Sequence, residues 1–411
     1  MQKLEGVVIH MNNLKILTRT SQDDLRDLTK IPVTNIFSTD VVDYLNYLSK
    51  IIFEDKRSRD FPDVSTFAFF SRKANVLSLK KQYEKYNHIR LGKGLVFHIA
   101  PSNVPVNFAY SMMAGLLAGN INIVKVPSKN FKQIEIITDA LNKVATNKDF
   151  ESFSRRIILV RYDNINEEIT KYFSSICNSR VIWGGDNTVN NIRKFQLQPR
   201  ANELTFSDRY SLCSINANKL VQEKNIDSIV TGFYNDTYLF DQNACTSPHL
   251  LIWLGTKKNV NEAKSLLWDG LYALARKKYD LQPIHAIDKV TSFYNQSIGM
   301  KNIKTINKKD NLLWRVELNS LEASIEYFKS NCGYFAEYHA ESLKEVTPII
   351  NLKYQTLSYY GLSKSELTEF IKNDKPSGID RIVPIGKTMD FSFFWDGHDL
   401  ISSLSRAIEI I

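Results

Sequence analysis

Cysteine is scarce in this chain: the 411 residues contain four, Cys177, Cys213, Cys245 and Cys332. They form no C-x-x-C pair and no histidine stands at a zinc-site spacing from them, which argues against both a structural zinc and a disulfide framework. They are expected to be reduced thiols of a cytoplasmic protein. A basic-then-apolar leader with a small-residue cleavage site is also missing, so export is not expected. The longest apolar stretch, residues 104–126, is broken by Asn107, Gly115, Gly119, Asn120 and Asn122. Such residues are costly in lipid, and the stretch reads as core rather than as a membrane span.

Charge of one sign is not concentrated either. The formal net charge is +9, compatible with nucleic acid or polyphosphate ligands, but the basic residues are thinly spread. Lys80-Lys81, Arg276-Lys277-Lys278 and the lysines between 301 and 309 read as solvated faces, and no nucleic-acid partner is expected. The hydrophobic fraction of 43% and charged fraction of 24% are ordinary for a globular protein. At this length a single core stops growing, so two domains are expected.

What is present begins with helical periodicity: Val42, Leu45, Leu48, Ile51 and Ile52 recur as on one face of a helix over 41–53. Phe67, Phe69, Phe70 and residues 77–83 continue a helical outer layer. From Gly92 the pattern changes to strand (95–100), loop (101–105), helix (108–117) and strand (121–126), a βαβ unit that requires a parallel sheet. Helix (131–144), strand (157–160), helix (169–175) and strands at 179–183 and 210–215 extend the alternation. A doubly wound sheet binds ligands beyond the carboxyl ends of its strands. Pro101, Ser102 and Asn103, Lys125 to Ser128, and Gly184-Gly185 should therefore share one nucleotide-binding rim, although no G-x-G-x-x-G is present. Beyond residue 240, 260–277 reads as an amphipathic helix, and 312–318 and 346–352 as strands of a second α/β layer.

One stretch carries nucleophile chemistry. In Asp241-Gln242-Asn243-Ala244-Cys245-Thr246-Ser247-Pro248-His249, Asp, Asn, Ser and Pro interrupt regular structure and present a thiol at a turn. His249 opens the apolar run 250–254, which places it at the start of a strand rather than in a Cys-His dyad.

Gly94-Leu95-Val96-Phe97-His98-Ile99-Ala100-Pro101-Ser102-Asn103-Val104-Pro105, Leu117-Ala118-Gly119-Asn120 and Ile123-Val124-Lys125-Val126-Pro127-Ser128 resemble the cofactor domain of the aldehyde dehydrogenase superfamily. The Asp241 to Pro248 stretch is most similar to the fatty acyl-CoA reductases of bacterial bioluminescence operons. Tyr354-Gln355-Thr356-Leu357, Gly378-Ile379-Asp380-Arg381-Ile382-Val383-Pro384-Ile385-Gly386 and Trp395-Asp396-Gly397 resemble the closing motifs of that family. The likeness runs from about Gly92 to the C-terminus.

The resemblance implies an α/β, aldehyde-dehydrogenase-like fold: a helical layer (1–90), a Rossmann-like NADPH domain (91–238), a thiol domain (239–375) and a closing segment (376–411). It implies that Cys245 attacks an acyl thioester, expels coenzyme A, and has its acyl group reduced by NADPH to an aldehyde. Asn103 matches the asparagine that stabilises the oxyanion. Lys125 matches the lysine that bonds the adenosine ribose; Ser128 stands where NAD-preferring relatives have a carboxylate, which favours NADPH. Pro101, Ser102, Gly184 and Gly185 complete the cofactor set, and no metal is expected. The upstream glutamate of hydrolytic relatives has no firm counterpart, since Glu203 lies too far upstream, and reduction is therefore expected over hydrolysis.

The expected partners are an acyl-CoA or an acylated protein, with a homodimer or homotetramer as the assembly. A coenzyme A-independent aldehyde dehydrogenase and a non-catalytic scaffold for an acyl-activating protein are the alternative readings. Phe391, Phe393, Phe394 and Trp395 are expected to pack in the core before they line an acyl pocket.

Overall fold

A computed structural model describes residues 13–21, 25, 27–84 and 88–411. The chain divides into two compact units, one of residues 1–207 with 398–411 and the other of residues 208–397. The sequence reading puts a boundary near residue 238; in the structure the chain passes from the first unit to the second after Ser207.

In the first unit a helical layer, α1 (Thr39–Glu54), α2 (Pro62–Phe70) and α3 (Lys73–Lys80), precedes the alternating segment. The apolar face of α1 is fully buried at Leu45, Leu48 and Ile52, as its 3.6-residue spacing requires. The strands are β1 (Lys15–Ile16), β2 (Ile89–Gly92), β3 (Leu95–Ile99), β4 (Ile121–Lys125), β5 (Ile157–Arg161), β6 (Ser179–Trp183) and β7 (Asn202–Phe206). Helices α4 (Asn107–Leu117), α5 (Lys132–Val144), α6 (Glu167–Ile176) and α7 (Asp186–Arg193) connect β3 to β7. The six-stranded sheet runs β1-β5-β4-β3-β6-β7, with β1 antiparallel and the others parallel. Every residue of β3, β4 and β6 is buried, because crossover helices cover both faces of a parallel sheet. The C-terminal segment Ser405–Ile408 returns to pair antiparallel with β2.

A polar network sits inside this unit. His98 on β3 contacts the Ser111 hydroxyl through Nδ1 (2.7 Å) and the Asn122 carbonyl oxygen through Nε2 (3.0 Å), and Trp183 Nε1 donates to Ser111 (2.9 Å). Asn122 can only accept at that oxygen, so Nε2 carries the proton and Nδ1 accepts from Ser111. Burial lowers the imidazole to about 4, against a small upward pull from Asn122. The unfolded chain therefore binds the extra proton first as pH falls below about 6.5, and stability should decline between pH 6.5 and 4. The melting temperature measured across that window should fall less steeply in His98→Gln; parallel curves would refute the assignment.

The second unit contains β8 (Tyr210–Asn216), β9 (Pro248–Leu254), β10 (Ile303–Lys309), β11 (Leu313–Leu318), β12 (Tyr334–Ala340), β13 (Tyr354–Tyr360) and β14 (Arg381–Pro384). They form a sheet ordered β10-β11-β12-β9-β8-β13-β14, antiparallel only between β10 and β11. Central β9 sends Leu250, Ile252 and Leu254 into one core and Leu251 and Trp253 into the other, the two-residue alternation of a strand covered on both sides. Helices α8 (Ala217–Leu220), α9 (Ile226–Thr237), α10 (Lys257–Lys278) and α11 (Pro283–Gly299) complete the unit's main helical elements.

The strand expected over 346–352 is not formed. Residues Leu343–Ile349 are a 3₁₀ helix with Pro348 inside it, burying Leu343, Val346 and Ile349. Their spacing of three is the 3₁₀ repeat, which a count of apolar residues alone does not distinguish from a strand.

Candidate functional site

In the second unit, Cys245 lies on the loop between α9 and β9, at the amino end of the central strand. Asp241 and Gln242 both adopt left-handed backbone conformations (φ 53° and 58°), which non-glycine residues keep only where the surroundings enforce them. Those surroundings are visible. The buried Gln242 amide donates to the Pro248 and Tyr334 carbonyls (3.0 Å each) and accepts from the Gly333 and Tyr334 N–H groups (2.9 and 3.2 Å). Tyr279 donates to Asp241 (2.6 Å), and Cys332 N–H donates to the Asp241 carbonyl (3.0 Å). At the far end Ser247 donates to the Asp236 carbonyl (2.8 Å). The turn expected from composition is thus a clamped loop.

Cys245 is exposed, whereas Cys177, Cys213 and Cys332 are buried. The residue reaches solvent, yet the protein packed around its sulfur favours the neutral form. Burial, then the Asp396 carboxylate, pushes the thiol up to about 12, with Gln355 and Arg209 pulling the other way. The exposed surface decides access; the crowding decides protonation. His249 is no base for it. Its Nδ1 contacts the Ser330 carbonyl (3.1 Å), and burial, then Lys329, lowers it to about 3.

Around the thiol, parallel β9, β8, β13 and β14 bring their amino ends together. Arg209 immediately precedes β8, Gln355 is the second residue of β13, and Arg381 opens β14. Gln355 Nε2 hydrogen-bonds the Asp396 carboxylate, and Arg209 Nε lies 3.5 Å from it. Burial raises Asp396 to about 6, against Arg209 and Gln355. Arg381 stacks over Trp395 at 5.0 Å. Gln355 Oε1 and the Thr356 hydroxyl are buried without a hydrogen-bond partner among the described residues, a condition native proteins rarely tolerate away from a site that a ligand completes. The tail motifs were visible as words in the sequence, but the residues Gln355, Asp396, Arg209 and Arg381 carried no readable role.

The first unit holds the expected cofactor residues. β4 and β5 lie on one side of β3, and β6 and β7 on the other. The order therefore reverses between β3 and β6, the switch point where doubly wound sheets open a crevice. Pro101, Ser102 and Asn103 follow β3, Ser102 and Asn103 exposed; Gly184 and Gly185 follow β6, the latter capping α7. Lys125 ends β4, beside β3, and Ser128 lies exposed three residues on.

Lys125 is buried, hydrogen-bonds Asn164, and sits 4.6 Å from the Tyr162 ring centre. Burial lowers its ammonium to about 8, opposed by Asp163. An ammonium has three donors, so Asn164 leaves room for a hydroxyl acceptor, as a ribose contact needs. The sequence around Ser128 is free of carboxylates, and folding brings Asp163 within electrostatic reach of Lys125. Glu203 binds Arg180 and, at 2.8 Å, Arg193; it is a structural ion-pair partner. Among the closing aromatics, Phe393 is buried, Phe394 is half exposed, and Phe391 stacks on Trp395 at 5.4 Å. No group of metal-ligating side chains occurs among the described residues, and no described helix is long and apolar enough to cross a membrane.

Two α/β units, one with a switch-point crevice and one with an accessible thiol before its central strand, define an aldehyde-dehydrogenase-like fold. Solved structures agree. The chain superposes on an NAD-dependent benzaldehyde dehydrogenase from Corynebacterium glutamicum with a TM-score of 0.60, at 10% identity over 90% of this chain and 85% of that one. It superposes on aldehyde dehydrogenase 21 of Physcomitrella patens with a TM-score of 0.63, at 11% identity over 95% and 90%. The profile of the acyl-CoA reductase (LuxC) family matches residues 23–407, and the chain belongs to that family. It is 23% identical over 327 residues to the long-chain acyl-protein thioester reductase of Aliivibrio fischeri, and 20% identical over 331 residues to that of Vibrio harveyi. Each alignment covers 78% of this chain and 64% of the relative, so the chain spans just under two thirds of their length.

Proposed function

We propose that the protein reduces an acyl thioester, as a fatty acyl-CoA or an acylated protein, to the aldehyde with NADPH, through an acyl group carried on Cys245. The observation that supports this most directly is the accessible Cys245 on a clamped loop in a chain of the acyl-CoA reductase family.

The Cys245 sulfur forms a bond to the acyl carbon, the bond to the donor sulfur breaks, and the proton of the Cys245 thiol is balanced by protonation of the departing thiol. A nicotinamide cofactor, when bound, would supply hydride to the acyl carbon. The carbon–sulfur bond then breaks with its electron pair returning to Cys245, which takes up a proton as the aldehyde leaves. Sulfur suits both roles, since it attacks carbonyl carbon well and departs well. In this reading the Asn103 amide donates to the developing oxyanion, and Lys125 and Ser128 hold the adenosine ribose and its phosphate. Asp163 beside Lys125 weakens the preference for a 2′-phosphate, so NADPH should be favoured over NADH by a modest rather than an absolute ratio of kcat/KM. His249 is neutral and turned to a backbone carbonyl, so it is not poised to activate water.

Intact-mass measurement after mixing with a panel of acyl-CoA thioesters tests the reading. One acyl adduct should form, map to Cys245 and disappear on addition of NADPH. Asn103→Ala should form it about 100- to 1000-fold more slowly, the usual cost of one oxyanion donor. An adduct on Cys177, Cys213 or Cys332, or none at all, would overturn the proposal.

A further inference from the structure

Asp236 stands where an acid is least favourable. It lies in the last turn of α9, where the carbonyls at a helix's carboxyl end already carry partial negative charge. Its side chain is buried and makes no ion pair among the described residues, a costly setting for a carboxylate. Three neutral donors meet it instead: the Gly386 N–H (2.6 Å), the Thr388 N–H (3.1 Å) and the Thr388 hydroxyl (2.9 Å). Helix α9 comes this close because Gly232, one turn earlier on the same face, has no side chain. A Cβ there would stand 3.1 Å from the Gly386 Cα.

The carbonyls that end α9 hold the thiol loop from both flanks. Thr237 C=O accepts from the Gln242 N–H (2.7 Å), and Asp236 C=O accepts from the Ser247 hydroxyl (2.8 Å), partners that helix ends otherwise lack. A second route reaches the residue between: the Thr246 hydroxyl donates to Met389 Sδ (3.3 Å), and Met389 follows the fully buried Thr388. Arg381 completes the grip from β14, donating to the carbonyls of Lys387 (3.1 Å), Thr388 and Asp390. Thr246 and Ser247, the two residues after Cys245, are therefore both fixed from Asp236. Its carbonyl holds one; its carboxylate, through residues 386–389, holds the other.

We propose that Asp236 is a positioning residue for Cys245: by holding Ser247 directly, and Thr246 through Thr388 and Met389, it sets the direction from which the sulfur meets the acyl carbon. This rests on the reading of Cys245 as nucleophile. Asp236 moves no proton and acts only through these neighbours. Such a mount matters because a displacement of the attacking atom by about 1 Å can cost about 100-fold in rate.

Single-turnover acylation by an acyl-CoA, followed by intact mass over a range of thioester concentrations, separates positioning from bulk stability. Asp236→Asn keeps the size and the backbone carbonyl but turns an amide N–H toward the donors of residues 386–388. Its limiting rate should fall about 10- to 100-fold, with the half-saturating concentration within about twofold of wild type. Met389→Leu keeps the volume and removes the sulfur that Thr246 contacts. It should slow the same step about threefold, the equivalent of one weak hydrogen bond. Added to Asp236→Asn it should slow it no further, since both substitutions break one route. If Asp236→Asn does not fold, Thr388→Val, which removes only the hydroxyl donor, takes its place with an expected loss of about threefold. A purely structural role predicts a lower melting temperature with an unchanged limiting rate; that result, or additive slowing in the double variant, would overturn the proposal. No adduct on wild-type Cys245 would defeat the nucleophile reading and this proposal with it. An adduct that forms equally fast in wild type and in the folded variant would defeat this proposal alone.

Discussion

Cys245→Ala should abolish the acyl adduct and lower aldehyde formation at least about 1000-fold, the largest effect expected of any substitution in this chain. The size follows from what is lost. In the proposed reaction the sulfur is attacking group, acyl carrier and leaving group in turn, and no other cysteine is exposed to replace it. The loop should survive, because its hydrogen bonds run through Gln242, Asp241 and Ser247 rather than through the thiol. The variant should therefore melt within a few degrees of wild type and still bind cofactor, measured by nicotinamide fluorescence. A variant that keeps more than a few per cent of wild-type turnover would place the chemistry on another residue.

Glu337→Ala should be the most destabilising single change, at about 3–5 kcal/mol. Glu337 is fully buried on β12. Its Oε2 accepts from both Trp253 Nε1 (3.0 Å) and Trp268 Nε1 (3.1 Å). Arg315 lies 3.5 Å and Lys264 3.7 Å from the same carboxylate. Glu337, Trp268, Arg315 and Lys264 line a polar cavity of about 210 Å³ together with Glu317 and Asn307. Alanine would orphan two indole donors and leave two cations short of their counter-charge in a site largely shielded from water. For a unit of this size the loss corresponds to a melting drop of about 10 °C or more. Glu337→Gln retains an acceptor for the indoles and should lose less. Equal melting of wild type and the alanine variant would show that water in the cavity solvates the cations as well as the carboxylate does.

Much of the fold was legible in advance because its signals are local. The strand at 179–183 and the alternation through 95–161 follow from apolar runs separated by Pro, Gly and Asn, and α10 follows from Ala263, Leu267 and Leu271 on one face. Misreading 346–352 as a strand has the same origin: Val346, Ile349 and Ile350 are apolar in either geometry, and only packing against the second unit's sheet selects the 3₁₀ turn.

The candidate site divides along the same line. Cys245 and the stretch before it announce a thiol on a turn, and family likeness supplies roles for Asn103 and Lys125. Gln355, Asp396 and Arg209 could not be recognised that way, since they come from three distant segments and meet only at the amino ends of β8 and β13. Asp163, remote in sequence from Lys125, likewise enters its surroundings only through the adjacency of β4 and β5.

Sequence alone pointed to the family, the parallel-sheet architecture and the cysteine proposed as nucleophile, because those are written in residue type, spacing and ordered motifs. Tertiary structure alone decided the electrostatic setting of the thiol: a raised proton affinity, a neutral and averted His249, and a carboxylate held by a glutamine amide and an arginine. Charge and hydrogen bonding act over a few ångströms of space, and strand register, not distance along the chain, sets which groups lie within that reach.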